Sequence, residues 1–72
     1  MSELLKQLTS AARDGKIEVI RRILLSNYDY LDRKNEFGNT ALHLAATFGK
    51  EDCVKLLIAK GADILGTIYV YL

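Results

Sequence analysis

The chain has 72 residues, a formal net charge of +1, and hydrophobic side chains at 50% of its positions. A chain of this length forms at most one small domain, and its interleaved charges of both signs leave no field that would attract nucleic acid or an acidic membrane. The lone cysteine, Cys53, excludes an internal disulfide and suits a reducing compartment.

The N-terminal residues 1–6 include charged side chains and no apolar core, so we expect no secretory signal. No segment approaches the run of about 18 apolar residues that a membrane-spanning helix requires. Together with the lone cysteine, these features predict a soluble intracellular protein, with the cytoplasm favoured over the nucleus.

The first predicted helix ends at Gly15, because glycine accepts the left-handed conformation that closes a helix. Its apolar residues recur at three- and four-residue steps and share one face: Leu4, Leu5, Leu8, Ala11 and Ala12. The same spacing predicts a second helix with the stripe Ile17, Ile20, Ile23 and Leu24. The first part of the chain is therefore expected to be a helix pair.

A polar segment, residues 32–39, separates this pair from a second one, and we call it the finger. It contains Gly38, so we expect a tight turn or hairpin that projects from the helices. Thr40 is the predicted N-cap of a third helix that runs to about Phe48, and Gly49 breaks that helix. The predicted fold class is all-α, with a β-turn finger.

The fourth predicted helix runs up to Gly61 and completes a second unit that repeats the first, with Ala45 aligned on Ala11. Its apolar stripe is Val54, Leu57 and Ile58. Residues 11–24 and 45–58 both read Ala-Ala-x-x-Gly-Lys-x-acidic-x-aliphatic-x-x-aliphatic-aliphatic. An internal repeat at this spacing is typical of solenoid proteins, in which each unit is one supersecondary element.

The second unit, residues 35–64, resembles one full ankyrin repeat, a family with a period of about 33 residues and an inner helix that begins Thr-Pro-Leu-His-x-Ala. The matching motif residues are Gly38, Thr40, Leu42, His43, Ala45, Ala46, Gly49 and Gly61. Ala41 replaces the usual proline, which is favoured at the first helical position because its missing N–H is unpaired there. Alanine is an excellent helix former, so we expect this departure to change little.

The first unit, residues 2–34, resembles an N-terminal capping repeat. It keeps the alanine pair and Gly15 but has Gln-Leu-Thr at residues 7–9, where the motif would fall. One inserted residue between Leu24 and Gly38 explains why the two units are spaced one position further apart than the family period. The resemblance therefore implies a helix-turn-helix solenoid fragment of about two repeats.

The resemblance also sets the domain boundaries, with an ankyrin-repeat domain over residues 1–64 and an apolar tail over residues 65–72. The tail contains no charge and no proline, and it fits the profile of an aggregation-prone strand. Three interpretations of it stay open. The chain is truncated or alternatively ended, or the tail folds over the face that a further repeat would cover. In the third interpretation, a PDZ-type domain recognises the C-terminus, because Val70 and Leu72 alternate as they do in ligands of such domains.

The resemblance implies a non-catalytic module that binds another protein on the concave side of the repeats. Carried over to this sequence, the candidate partner-binding residues are Arg13, Asp14, Glu36, Phe37, Asn39, Thr47 and Phe48. Phe37 and Phe48 are expected to be exposed and to act as interface anchors, unless one of them packs against a neighbouring hairpin.

A second function is possible because solenoids need about three units and polar ends to be stable. In this alternative the chain is a truncated or capping segment. It then self-associates, or docks on a longer array, through its apolar C-terminal face.

His43 and Cys53 are the only imidazole and thiol, and one of each cannot form a metal site. They are a formal nucleophile and base pair, but the resemblance gives His43 a structural role at the start of the third helix. Cys53 is expected to be a packed or half-exposed apolar side chain. No phosphate-binding loop or nucleophile elbow occurs, so we expect no enzyme and no cofactor.

Basic pairs at residues 21–22 and 33–34 resemble a nucleic-acid patch. Glu18, Asp29 and Asp32 lie close to them and cancel the charge, and no groove-reading element is present. We expect a solvated face here and no nucleic-acid partner.

Overall fold

A computed structural model describes residues 3–64 of the chain. Its elements are α1 Glu3–Asp14, α2 Ile17–Ser26, a short 3-10 helix Tyr28–Tyr30, α3 Ala41–Thr47 and α4 Glu51–Ala59. Residues 3–64 contain no strand, which confirms the predicted all-α class. The interpretations of the tail concern residues 65–72 and lie outside the described part of the chain.

Both units close their inner helix in the same way. Gly15 and Gly49 have positive φ angles of 77° and 68°, which only glycine adopts without strain. The backbone N–H after each glycine donates across the turn at 2.8 Å, from Lys16 to Ala11 and from Lys50 to Ala45. This closure is a common glycine-ended helix terminus. The repeat in the sequence is therefore also a repeat in the backbone.

The core lies where α1 packs against α3 and each inner helix packs against its outer partner, α2 or α4. Its buried side chains are Leu5, Leu8, Ala11, Ala12, Ile20, Ile23, Leu24, Leu31, Ala41, Leu42, Ala45, Cys53, Leu57 and Ala62. Alanines cluster on α1 and α3 because small side chains let two helix backbones approach closely. Thr9 is buried as well, with its hydroxyl 3.1 Å from the Leu5 carbonyl oxygen that it bonds.

The two outer helices differ in burial at one equivalent position. Leu24 of α2 is 2% exposed, whereas Ile58 of α4, its counterpart in the predicted apolar stripe of the second unit, is 40% exposed. In a stack of similar units, one side of the first unit packs against the second unit. The same side of the second unit has no following unit to pack against within residues 3–64. The 40% exposure of Ile58 agrees with a place on that outer side, so membership of the apolar stripe does not by itself mean burial.

Two hydrogen bonds between loops join the units. The Tyr28 hydroxyl donates to the Lys60 carbonyl oxygen at the end of α4. The backbone N–H of Asp63 donates to a carboxylate oxygen of Asp32 at 2.8 Å. Because both bonds connect residues that are distant in the sequence, they fix the register of one unit on the other.

Thr40 is the N-cap of α3, as the sequence predicts. Its backbone is extended, with φ −89° and ψ 170°, and its hydroxyl oxygen accepts a hydrogen bond from the His43 N–H at 3.2 Å. The cap satisfies one of the free N–H groups at the helix start and fixes where the finger ends.

Candidate protein-binding surface

The tip of the finger, residues 35–39, is a tight turn organised by Asn35. The backbone N–H of Asn35 donates to the Asn39 carbonyl at 2.9 Å, and the Gly38 N–H donates to the Asn35 carbonyl at 3.0 Å. The Asn35 side-chain oxygen also accepts from the N–H groups of Phe37 and Asn39, at 2.9 and 3.0 Å. These four bonds hold the tip in a tight turn in which Phe37 is 78% exposed.

A groove of about 200 Å³ lies between the finger tip and α1. Its lining residues are Lys6, Thr9, Ser10, Arg13, Asn35, Glu36, Phe37, Asn39 and Leu44. Four of the seven candidate partner-binding residues are among them: Arg13, Glu36, Phe37 and Asn39. The structure thus brings residues of both units together in one groove.

The other three candidates do not line this groove. Asp14 pairs with Arg13 at the end of α1. Thr47 and Phe48 lie at the end of α3 and are both exposed, Phe48 to 52%. The Thr47 hydroxyl donates to the His43 carbonyl within the helix at 2.8 Å.

Five groove residues are not among the sequence-predicted candidates: Lys6, Thr9, Ser10, Asn35 and Leu44. Three of the lining residues, Lys6, Ser10 and Arg13, are four and three positions apart, which places them on one face of α1. That spacing is a usable signal in the sequence. The family resemblance does not point to it, because the motif residues of the first unit lie at the end of α1.

Three charged residues line the groove, Lys6, Arg13 and Glu36, and of these Arg13 forms an ion pair within residues 3–64. Arg13 Nε lies 3.1 Å from a carboxylate oxygen of Asp14. The hydrogen bond from Arg13 lowers the pKa of the Asp14 carboxyl, and the same contact raises the pKa of Arg13. Both side chains are well exposed, so the pair adds little to stability.

Cys53 is buried in the core. Burial raises the pKa of the thiol, and the charge of Asp52 raises it further. The thiol therefore stays protonated at neutral pH, whereas a nucleophile needs the thiolate. Within residues 3–64 no group of three metal-binding side chains occurs.

We expect Cys53 to react with a disulfide reagent at neutral pH only when the chain opens. If the domain is stable by about 3 kcal/mol, the reaction is on the order of a hundredfold slower than in the denatured chain. Stopped-flow absorbance with and without urea measures both rates. Equal rates would place the thiol at the surface.

The raised pKa of Cys53 also gives stability a pH dependence with a definite sign. The unfolded thiol ionises first, so the free energy of unfolding falls as pH rises past the ordinary thiol pKa. Urea denaturation across that pH range should show the fall in the free energy of unfolding of the parent chain. The contribution of the thiol to this fall should be absent in Cys53→Ala.

No helix within residues 3–64 combines the length and the apolar character needed to cross a membrane.

Comparisons with known proteins agree on one family. The family described as ankyrin repeats (3 copies) matches residues 5–67. A probable E3 ubiquitin-protein ligase of Oryza sativa subsp. japonica is 48% identical over 61 residues, covering 82% of this chain and 12% of that protein. Ankyrin repeat domain-containing protein 29 of Danio rerio is 41% identical over 54 residues, covering 75% of this chain and 18% of that protein.

M-phase phosphoprotein 8 of Homo sapiens is 38% identical over 60 residues, covering 82% of this chain and 7% of that protein. The chain thus spans less than a fifth of each of these three relatives. No solved structure matches it significantly. The repeated glycine-closed helix pairs, the Thr40 cap and the family match over most of the sequence lead to one conclusion: the chain belongs to the ankyrin-repeat family.

Proposed function

We propose that the chain is a non-catalytic module that binds another protein along its concave surface, and that it does so inside the cell, in the cytoplasm by preference. Ankyrin repeats are generally protein–protein interaction modules. The observation that carries the proposal is the exposed Phe37 ring at the tip of a hydrogen-bonded turn, beside the groove on α1.

An exposed aromatic ring on a fixed turn suits an interface for two reasons. Burying a phenylalanine side chain from water contributes about 1.5–3 kcal/mol. A turn already held by four hydrogen bonds loses little further conformational freedom on binding, so more of that contribution appears as affinity. Phe37 is therefore the proposed anchor.

The remaining candidates form the surroundings of this anchor. Arg13, Asp14, Glu36 and Asn39 supply polar and charged groups around the groove, a composition typical of an interface rim. Thr47 and Phe48 extend the proposed surface to the end of α3. We propose Phe48 as a second, less exposed anchor.

We expect Phe37→Ala to weaken binding of a concave-side partner by about 30-fold or more, since anchor residues contribute about 2 kcal/mol or more. Phe48→Ala is expected to weaken it less. Both changes should leave the free energy of unfolding within about 0.5 kcal/mol of the parent, because exposed side chains contribute little to folding. Titration calorimetry and urea denaturation measure the two quantities. A large loss of stability would place either ring in the core.

Partners are identified by selecting, from a displayed library of natural protein segments, those that bind the full chain. The affinity of each selected segment for the variants is then measured by titration. Lys55→Ala is the control, since Lys55 is an exposed residue of α4 that lines neither this groove nor the open groove around Leu25 on the outer helices. If no selected binder loses affinity with Phe37→Ala or Phe48→Ala, the concave site is refuted.

The exposure of Ile58 favours one alternative, in which the chain self-associates or docks on a longer array through its apolar C-terminal face. Ile58 and Ile64 both belong to the exposed large apolar side chains of residues 3–64. In that case we expect light scattering to show a dimer at micromolar concentration, which Ile58→Gln reverts to a monomer. A monomer at all concentrations, with a cooperative helical melt, would favour the binding module.

A further inference from the structure

Leu25 is 85% exposed, more than any other large apolar side chain in residues 3–64. It lies near the end of the outer helix α2, in an open groove of about 420 Å³. The other lining residues are Glu18, Arg21, Arg22 and Lys60. This groove joins α2 to the end of α4 and shares no residue with the concave groove.

The charges of this outer groove are unbalanced. Glu18 accepts a hydrogen bond from Arg21 at 2.5 Å, so these two charges neutralise each other. Arg22 and Lys60 make no ion pair with any residue in the described part of the chain, and both are exposed. The groove therefore presents one apolar side chain together with two unpaired cations, on a chain whose net charge is only +1.

We propose that this outer groove binds an acidic peptide segment of a partner protein. The segment places an aliphatic side chain against Leu25 and carboxylates against Arg22 and Lys60. Because the groove lies on the outer helices, its occupation leaves the finger and the concave surface free. The chain then joins two proteins, one on each side.

A peptide fits better than a nucleic acid because of Leu25. Phosphate backbones gain affinity from charge alone, and two open cations give a weak, salt-dependent contact. An aliphatic side chain of a peptide also removes apolar surface from water when it packs against Leu25. Salt does not screen this contribution to the affinity. Binding should therefore depend both on the two cations and on the apolar contact with Leu25, and the test measures each dependence.

The test uses the full chain labelled with nitrogen-15 and the probe peptide acetyl-Asp-Glu-Leu-Leu-Glu-Asp-amide. We expect amide shifts confined to the end of α2 and to Lys60, with a Kd on the order of 1 mM, a range that corresponds to a single small contact. Leu25→Gln and Arg22→Glu should each weaken binding about tenfold, through lost apolar contact and reversed charge respectively.

Two controls separate this site from general attraction. Lys55→Glu makes the same charge change on an exposed position of α4 that does not line the groove, so it should alter the Kd less than about twofold. A probe with serine in place of both leucines should bind about tenfold more weakly. Phe37→Ala should leave the Kd unchanged, which keeps this proposal distinct from the concave site.

Several results would overturn the proposal. They are the absence of shifts, equal affinity for the serine probe, equal affinity of an oligothymidylate, and an unchanged Kd in Leu25→Gln. Concentration-dependent shifts of the same residues without peptide would make a second copy of the chain the occupant, and would also overturn it.

Discussion

Leu8→Ala is expected to lower the free energy of unfolding by about 2–5 kcal/mol, because it removes buried atoms and leaves a cavity between helices. Leu8 is fully buried on α1, the inner helix that packs against both α2 and α3. A core of this size rarely supplies more than about 3–5 kcal/mol of stability. The variant should therefore be largely unfolded at room temperature.

Far-UV circular dichroism and urea denaturation measure this effect directly. Leu25→Ala is the matched control, since it makes the same chemical change at a position that is almost fully exposed. We expect that control to stay within about 0.5 kcal/mol of the parent. A helical Leu8→Ala variant with an unchanged urea midpoint would mean that the α1 contact is not part of the stabilising core.

Gly61→Ala is expected to have the second-largest effect, lowering the free energy of unfolding by about 2 kcal/mol. Gly61 has φ of 99°, a backbone region that side-chain-bearing residues rarely adopt. A Cβ at this position would also lie 3.2 Å from the Tyr28 hydroxyl oxygen. That hydroxyl donates to the neighbouring Lys60 carbonyl, so the methyl group disturbs a bond that joins the two units.

Two further variants separate backbone strain from the contact with Tyr28. Gly38 has a similar φ of 80°, but no atom lies within 4 Å of the place that a Cβ would occupy there. Gly38→Ala should therefore show the backbone effect alone, about 1 kcal/mol. The double variant with Gly61→Ala and Tyr28→Phe lacks the clash. Its loss of unfolding free energy should therefore be smaller than the sum of the losses in the two single variants. Additive losses would show that the hydroxyl contact does not matter.

Local geometry explains why the sequence predicted the helices well. Gly15 and Gly49 end their helices because a positive φ and a short-range hydrogen bond depend only on nearby residues. Thr40 caps α3 for the same reason, since its hydroxyl contacts an N–H three positions further along the chain. Repeats, helix ends and the N-cap are therefore readable without knowledge of the packing.

The candidate surface was predictable only in part. The family resemblance located Phe37 on the finger, and the structure exposes it. The groove beside it combines Lys6 and Ser10 of α1 with Leu44 of α3 and with the finger tip. These residues come from both units, so their proximity depends on how one unit stacks on the other.

The sequence by itself determined the family, the all-α class and the ends of the helices, because these follow from short-range backbone preferences and from the internal repeat. Only the tertiary structure decided which members of the predicted apolar stripes are buried and which are exposed. Leu24 and Ile58 occupy the same helical position, yet one faces the neighbouring unit and the other faces outward. Stacking likewise brings Lys60 beside Leu25. Helical periodicity identifies the apolar face of a helix, but burial of each residue on that face also depends on packing between distant segments.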